Sequence, residues 1–462
     1  MQPFSLTHGP SVPELQVPGA QGPCVPNAEF LRTFDTIQKV CVEHIRMIPS
    51  EANDHVVADP ENIQHFLTSD QCMMCHSGAN SKFAFGPIMF LETKMGGLNV
   101  SPYGEWRWSP MGLAGRDPVF YSQLESEVSM LKGMLGEETG AFFGSQVVNT
   151  CLTCHGAMGK RTFDVDNGVA GEYWSEDSVF DLDWIYVTDP TDPRAKYAAL
   201  ARDGISCTVC HHQVEAYDNI GDFLANSITG QFKMGPPDEI YGPYEDVVAK
   251  PMENSTGLTP KYDPFIQSSR MCGTCHVINL PIVDWPLDNP PSDDGPPQEE
   301  IEQLLASQKN PNFQGFRHNI EQATYLEWLN SKYQDEFGPK HDEQRSCQDC
   351  HMRKEWHSSD GEIRIDPIKT KIATIEDQDY PEADHRLPVE DITEKFREEG
   401  VRRHTFQGLN IFLLEMFRQF TDVLGVRKMD FETASNGLEF AIYNSIQNAR
   451  ERTATVEIVN YE

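Results

Sequence analysis

Ten of the chain's 12 cysteines fall into five copies of one pentapeptide: Cys72-Met-Met-Cys75-His76, Cys151-Leu-Thr-Cys154-His155, Cys207-Thr-Val-Cys210-His211, Cys272-Gly-Thr-Cys275-His276 and Cys347-Gln-Asp-Cys350-His351. Chance placement would give on the order of 0.01 such pentapeptides in a chain of this composition, so the pattern is not coincidence. On one turn of helix, residues i, i+3 and i+4 share a face. The two sulfurs then reach the two vinyl groups of a porphyrin as thioethers, and the adjoining imidazole lies beneath the ring, aimed at iron. The spacing therefore points to covalently attached haem c, with His76, His155, His211, His276 and His351 as proximal ligands. Five motifs imply five haems. Structural zinc takes two Cys-x-x-Cys pairs per tetrahedral site, and it does not require a histidine after every pair. A thioredoxin-like dithiol needs one pair within an alternating strand and helix pattern, which this sequence lacks.

Ten of the 15 histidines lie outside the motifs, twice what five six-coordinate irons need. His212 follows proximal His211, so on a helix its ring points about 100 degrees away and can serve an adjacent haem. His65, seven residues before the first motif, and His404, in Arg402-Arg-His-Thr-Phe-Gln-Gly408 at the head of an amphipathic helix, are further distal candidates. His318 and His385 complete the candidate set. The bland reading of each is a surface histidine or one bonded to a haem propionate. His8, His44, His55, His341 and His357 rank below them, with His44 and His357 as reserves. Met111, beside Trp106 and Trp108, reads as packing rather than as a thioether ligand.

The elements that must position these groups are short. With 31 prolines and 33 glycines among 462 residues, and hydrophobic residues at 39%, the chain reads as mainly α with much irregular structure and few short strands, packed around a chain of five haems. Residues 1–54 form an N-terminal portion. Its first 26 residues read as an extended arm, and a helix with apolar positions Phe30, Phe34, Ile37, Cys41, Ile45 and Ile48 follows. Residues 55–390 are the haem-bearing region. Its motifs are too irregularly spaced for a strict repeat, and Asp284–Glu300, rich in proline and acids, reads as a solvated loop. Residues 391–462 carry no motif. Asp391–Val426 and Asp430–Arg452 read as helices, with Leu413, Phe417, Phe420 and Leu424 as the core-facing stripe of the first, and Thr453–Asn460 alternates like a strand.

The formal net charge of −34 opposes binding to nucleic acid or anionic membrane surfaces. It suggests basic partners, or divalent cations such as Ca2+ bridging carboxylates. Abundant carboxylates also favour the more positive, oxidised iron and so lower potentials. The longest nearly uninterrupted apolar run, Leu409–Phe417, is far too short for a transmembrane helix. Covalent haem attachment takes place outside the cytoplasm, so a periplasmic or extracellular location is expected. The first 25 residues have no signal-peptide pattern, meaning that such a segment was removed or that the start is misassigned. Cys24 and Cys41 form either a disulfide or two buried free thiols.

Several segments carry a resemblance: Ile205-Ser-Cys-Thr-Val-Cys-His-His212, Ser269-Arg-Met-Cys-Gly-Thr-Cys-His276, Glu321-Gln-Ala-Thr-Tyr-Leu-Glu-Trp328, Ser346-Cys-Gln-Asp-Cys-His-Met352 and Arg403-His-Thr-Phe-Gln-Gly408. Over about residues 60–462 the chain resembles a broad bacterial and archaeal group of exported multihaem cytochromes c, related to the tetrahaem electron acceptors of hydroxylamine oxidoreductase. The resemblance implies a chain of close haems that conducts electrons. Some members of the wider class polymerise into extracellular filaments, and others serve a membrane or enzyme partner, so redox proteins or further copies of the chain are the expected partners. Several relatives carry a β-rich region after a strand like Thr453–Asn460, which implies that the natural chain continues. The competing expectation is an oxidoreductase acting on a small nitrogen or sulfur species at one open haem. Pentahaem nitrite reductase, however, has a lysine in place of one motif histidine, and here all five motifs end in His. Octahaem hydroxylamine oxidoreductase needs more haems and a tyrosine cross-link. An electron carrier, with no catalytic residues to name, is the better reading.

Overall fold

Proline, glycine and side-chain caps cut this chain into short helices, and local chemistry sets where each begins. A computed structural model describes residues 47–59, 61, 64–78, 88–94, 96–169, 179–281, 318–373, 395–426, 437–451 and 453. The chain divides into two units, Met1–Met47 and Ile48–Glu462, and the second is described here. The expected arm, the first helix up to residue 46, Cys24, Cys41, His8, His44, His385, the loop at 284–300 and the strand beyond Thr453 lie outside the described residues.

The second unit is mainly helical, with short two-stranded sheets and much irregular structure. Helix α1 spans Asp70–His76, β1 Phe90–Thr93, β2 Gly96–Asn99 and α2 Pro102–Trp106. The longest pair follows, α3 (Pro118–Leu135) and α4 (Glu137–His155). Asp117 caps α3 by accepting from the Val119 N–H at 2.8 Å, with Pro118 at the first helical position. Gly136, at φ 81°, turns the chain back. Tyr121 and Leu124 of α3 meet Val148 and Leu152 of α4 in one core with Phe180, Ile185 and Ala201. Fully burying a side chain of Leu or Phe size is worth about 1.5–3 kcal/mol, so this core is the rigid base on which motif two stands.

Next come α5 (Ala157–Asp166), α6 (Ala195–Arg202) and α7 (Cys207–His211). A short parallel pair joins β3 (Glu239–Gly242) to β4 (Thr259–Tyr262), with Tyr241 opposite Lys261. Helix α8 spans Ser269–Gly273, and β5 (Ile278–Pro281) pairs antiparallel with β6 (His318–Gln322). Helices α9 (Thr324–Leu329) and α10 (Cys347–His351) lead to the last motif.

The C-terminal portion departs from the sequence reading. Residues 395–410 are not helical. The first C-terminal helix, α11, spans only Ile411–Gln419, capped by the Asn410 side chain, which accepts from the Leu413 N–H at 3.1 Å. A single turn, Thr421–Leu424, follows. Phe417 and Leu424 are buried as expected, but Phe420 is 46% exposed, because α11 ends at Gln419 and the backbone turns there. The last helix, α12, spans Gly437–Glu451. Together α11, α12 and the single turn share a core with Trp108 and Leu113, so this portion packs into the haem-motif unit. Residues just before 55 also belong to it. The Ile48 N–H donates to the Val423 carbonyl at 3.2 Å. Buried Asp54 binds the guanidinium groups of Arg116 and Arg202.

Candidate haem-attachment sites

All five pentapeptides occupy helical turns. Motif one lies in α1, motif two closes α4, and motifs three and five are α7 and α10. Motif four starts in α8 and finishes as a turn, with the His276 N–H donating to the Cys272 carbonyl at 2.9 Å. On such a turn, residues i, i+3 and i+4 share a face, as the spacing requires. All ten cysteines are free thiols. Among the described residues, no three or more His, Cys, Asp or Glu side chains are disposed to hold a bare metal ion.

Hydrogen bonds to carbonyl or amide groups orient most of the motif histidines. The Nδ1 of His76 lies 2.9 Å from the Ile372 carbonyl, that of His211 2.6 Å from Tyr241 O, and that of His351 2.6 Å from Gln407 O. A carbonyl oxygen only accepts, so each Nδ1 carries the proton and each Nε2 keeps its lone pair. That is the tautomer an iron ligand needs. The His276 ring is hydrogen-bonded to the Gln322 side chain. His155 is different. Its Nδ1 is buried without a well-formed partner among the described residues, with the Ala114 carbonyl turned toward it, and its ring stacks on Phe120 at 3.7 Å and 5°. Burial pushes the imidazole of His155 down to about 4 and lowers those of His76, His211 and His276, so all four favour the neutral, metal-binding form.

The motifs also touch one another. The Cys72 thiol lies close to that of Cys207, Cys154 to Cys275 and Cys272 to Cys347. Cys210 lies close enough to Cys275 to raise its own thiol pKa, an effect that adds to the larger one of burial. Motif one therefore meets three, three meets four, and four meets both two and five. This order in space is not the order in sequence.

Of the distal candidates, His404 lies among the motif rings. Burial pushes its imidazole down to about 3, with the rings of His211 and His76 adding to the effect. It sits seven residues before α11 rather than at a helix head, in the extended run that also presents the Gln407 carbonyl to His351. Phe406 within that run has φ 42°, a left-handed conformation that costs a non-glycine residue on the order of 1–3 kcal/mol. His65 and His212 pair edge to face at 5.9 Å. His212 is buried, its Nδ1 3.1 Å from the Thr208 carbonyl, and burial together with His65 takes it to about 4. The backbone of His318 begins β6, and its side chain lies outside the described residues. His55 is exposed and holds Asp70 at 2.6 Å, and His357 faces Asp366 at 3.4 Å.

Haem fits these residues on two counts. The two cysteines and the histidine of every motif lie on a helical turn, and buried guanidinium nitrogens near the motifs lack acceptors among the described residues: Arg353 Nη1, two residues after His351, and Arg403 Nη1, beside His404. Propionates are acceptors of the right charge. Several supports had no motif to announce them. Tyr325, fully buried, packs on Gly273 inside motif four, where a Cβ would stand 2.8 Å from its ring, and its hydroxyl donates to Glu336. Gly230, at φ 75°, fits between motifs two and four, where a Cβ would stand 2.6 Å from Thr153 and 3.2 Å from Cys154 Sγ. Glu105 and Arg403, both buried, form an ion pair that fixes the 402–407 run. No helix among the described residues is long and apolar enough to cross a membrane. No protein-family model, curated protein or solved structure matches the chain.

Proposed function

We propose that the chain is a pentahaem cytochrome c that transfers electrons outside the cytoplasm, through five haems held by the ten motif cysteines and ligated proximally by His76, His155, His211, His276 and His351. The observation that supports this reading is the close approach of motif to motif, one to three to four, with two and five beside four. Groups attached at touching motifs lie within short electron-transfer range of one another. Bound haem would supply a reversible one-electron couple at each iron. The protein residues do the rest. Carbonyls of Ile372, Tyr241 and Gln407 fix the proximal rings, and His65, His212 and His404 are the described candidates for the distal side, with His318 and His385 beside them. A branched rather than linear arrangement gives several exits, which suits a carrier that passes electrons to redox partners or to further copies of itself, including an extracellular filament. Calcium bridging surface carboxylates would assist any such association.

The test is the haem count and spin state of matured protein. Intact mass and the pyridine haemochrome assay are expected to give five covalent haems per chain with no free motif thiol, and EPR to be dominated by low-spin signals. Four or fewer haems overturns the reading. A stoichiometric high-spin signal with turnover of nitrite or hydroxylamine would favour the oxidoreductase instead, and His155, with the least supported proximal ring, marks the site to examine first.

A further inference from the structure

Asp203 closes α6 and accepts two hydrogen bonds from Ser69, 2.8 Å from its N–H and 2.7 Å from its hydroxyl. Ser69 is the residue that precedes α1, the helix of motif one. The hydroxyl of Ser206, which precedes α7 and motif three, is buried beside the same carboxylate without a well-formed hydrogen bond. One carboxylate thus holds the start of the motif-one helix and lies beside the start of the motif-three helix, where Cys72 and Cys207 come close, and its charge acts on Cys72. We propose that Asp203 is a proton-binding site coupled to the motif-one and motif-three pair, so that the chain takes up a proton there when it takes up an electron.

This rests on the haem reading above. Burial pushes the Asp203 carboxyl up to about 7. The nearby Ser206 hydroxyl and the hydrogen bonds from Ser69 oppose the rise, and the charge of Asp54 reinforces it. Its place at the C-terminal end of α6 also disfavours negative charge. The groups around it do not neutralise it. Asp54 is occupied by Arg116 and Arg202, and the Arg202 guanidinium turns away to Asp54 and to the carbonyls of Ile185 and Val187. Asp70 is held by His55 and Thr68. Cys72 and Cys207 lose their titrating protons when they become thioethers. Positive charge at an oxidised iron nearby favours the carboxylate. When an external one-electron donor supplies an electron, that charge falls by one, and a proton from water bonds to a carboxylate oxygen of Asp203. The electron and proton together leave the net charge of the pair unchanged, which keeps the cost of charging a half-buried site low.

The experiment reduces holoprotein at a mediated electrode and measures protons taken up per chain between pH 5.5 and 8.5, with haem counted on the same samples. Wild type is expected to take up more than Asp203→Asn near pH 7, by a fraction of a proton rising to about one. The potentials of one or two components should fall with rising pH in wild type and flatten in the variant. Equal uptake in both, with five haems present, overturns the Asp203 assignment alone, whereas fewer than five haems in wild type overturns the haem reading. If Asp203→Asn does not mature, wild-type infrared difference spectra decide: a protonated-carboxyl band must grow on reduction and shift in Asp203→Glu. No such band overturns the proposal.

Discussion

Motifs two and five carry the same chemistry on opposite kinds of support. Motif five is a five-residue helix whose imidazole is oriented from outside, by a carbonyl on an irregular run 56 residues later. That run is in turn fixed by a buried Arg403–Glu105 pair and a left-handed Phe406. Motif two ends a 19-residue helix in a packed core, and its imidazole is held by the helix behind it and by the face of Phe120. The difference shows two ways of fixing a ligand. Hydrogen bonding sets the tautomer and makes the ring a stronger donor, while stacking sets only its plane.

The sharpest way to break the comparison is to remove the external support of motif five. Arg403→Ala leaves Glu105 buried beside an empty site, and breaking a buried pair in this way costs about 3–5 kcal/mol. Thermal melts should show that loss, and the absorption and EPR signature of the haem at His351 should broaden while that at His155 stays fixed. Equal disturbance of both would mean that the pair supports the fold generally rather than the Gln407 carbonyl. The converse variant is Phe120→Ala. Phe120 is half-buried, so truncation should cost about 2 kcal/mol. Here the His155 component should change and the His351 component should not.

The proposed attachment sites are legible in the sequence because thioether formation and iron ligation, if they occur here, demand particular side chains at particular spacings. The five motifs, their helical turns and the mainly helical class follow from residue identity alone. The supports do not. Ile372, Tyr241 and Gln407 act through main-chain carbonyls, which any residue supplies, so nothing in their identity marks them. Asp203 lies four residues before motif three and reads as one acid among 71 Asp and Glu. The run before α11 was misread as helix because Asp391–Gly400 is polar and helix-compatible. What overrides that propensity is tertiary: Arg403 reaches Glu105, and the Thr405 hydroxyl donates to the His351 carbonyl at 2.9 Å. Spacing gave five sites but not their adjacency, because contacts such as Cys154 with Cys275 join residues far apart in the chain.

Acid should expose the buried imidazoles next. Burial alone takes His155 and His212 to about 4 and His404 to about 3, against an ordinary value of about 6.5, and ligation to iron would keep each ring neutral to still lower pH. The unfolded chain therefore binds more protons below pH 6.5, and stability falls as pH drops from there toward 4. Asp203 works in the opposite direction. Its folded value, about 7, exceeds the usual carboxylate value, so its contribution is largest in acid and is lost as pH rises through 7. Unfolding free energies from urea titrations between pH 7.5 and 5.5 should decline by on the order of 1 kcal/mol. In Asp203→Asn the acid decline should be steeper, because the opposing contribution is gone. A shallower decline in the variant would contradict the assigned direction for Asp203.

The smallest effect separates surface histidines from ligands. His55 is the described non-motif histidine nearest in sequence to His65, and it pairs with Asp70 at the start of α1, where both side chains reach solvent. Exposed pairs of this kind contribute about 0–1 kcal/mol, because water competes for both partners and salt screens them. His55→Ala should therefore shift the melting free energy by no more than about 0.5 kcal/mol and leave every low-spin EPR component in place. His65→Ala is the matched comparison, since its ring is half-buried against His212 rather than paired at the surface. If His65 ligates, that variant should convert one low-spin component to high-spin while His55→Ala does not. Two silent variants would remove His65 from the distal set and leave His212 and His404 as the described candidates.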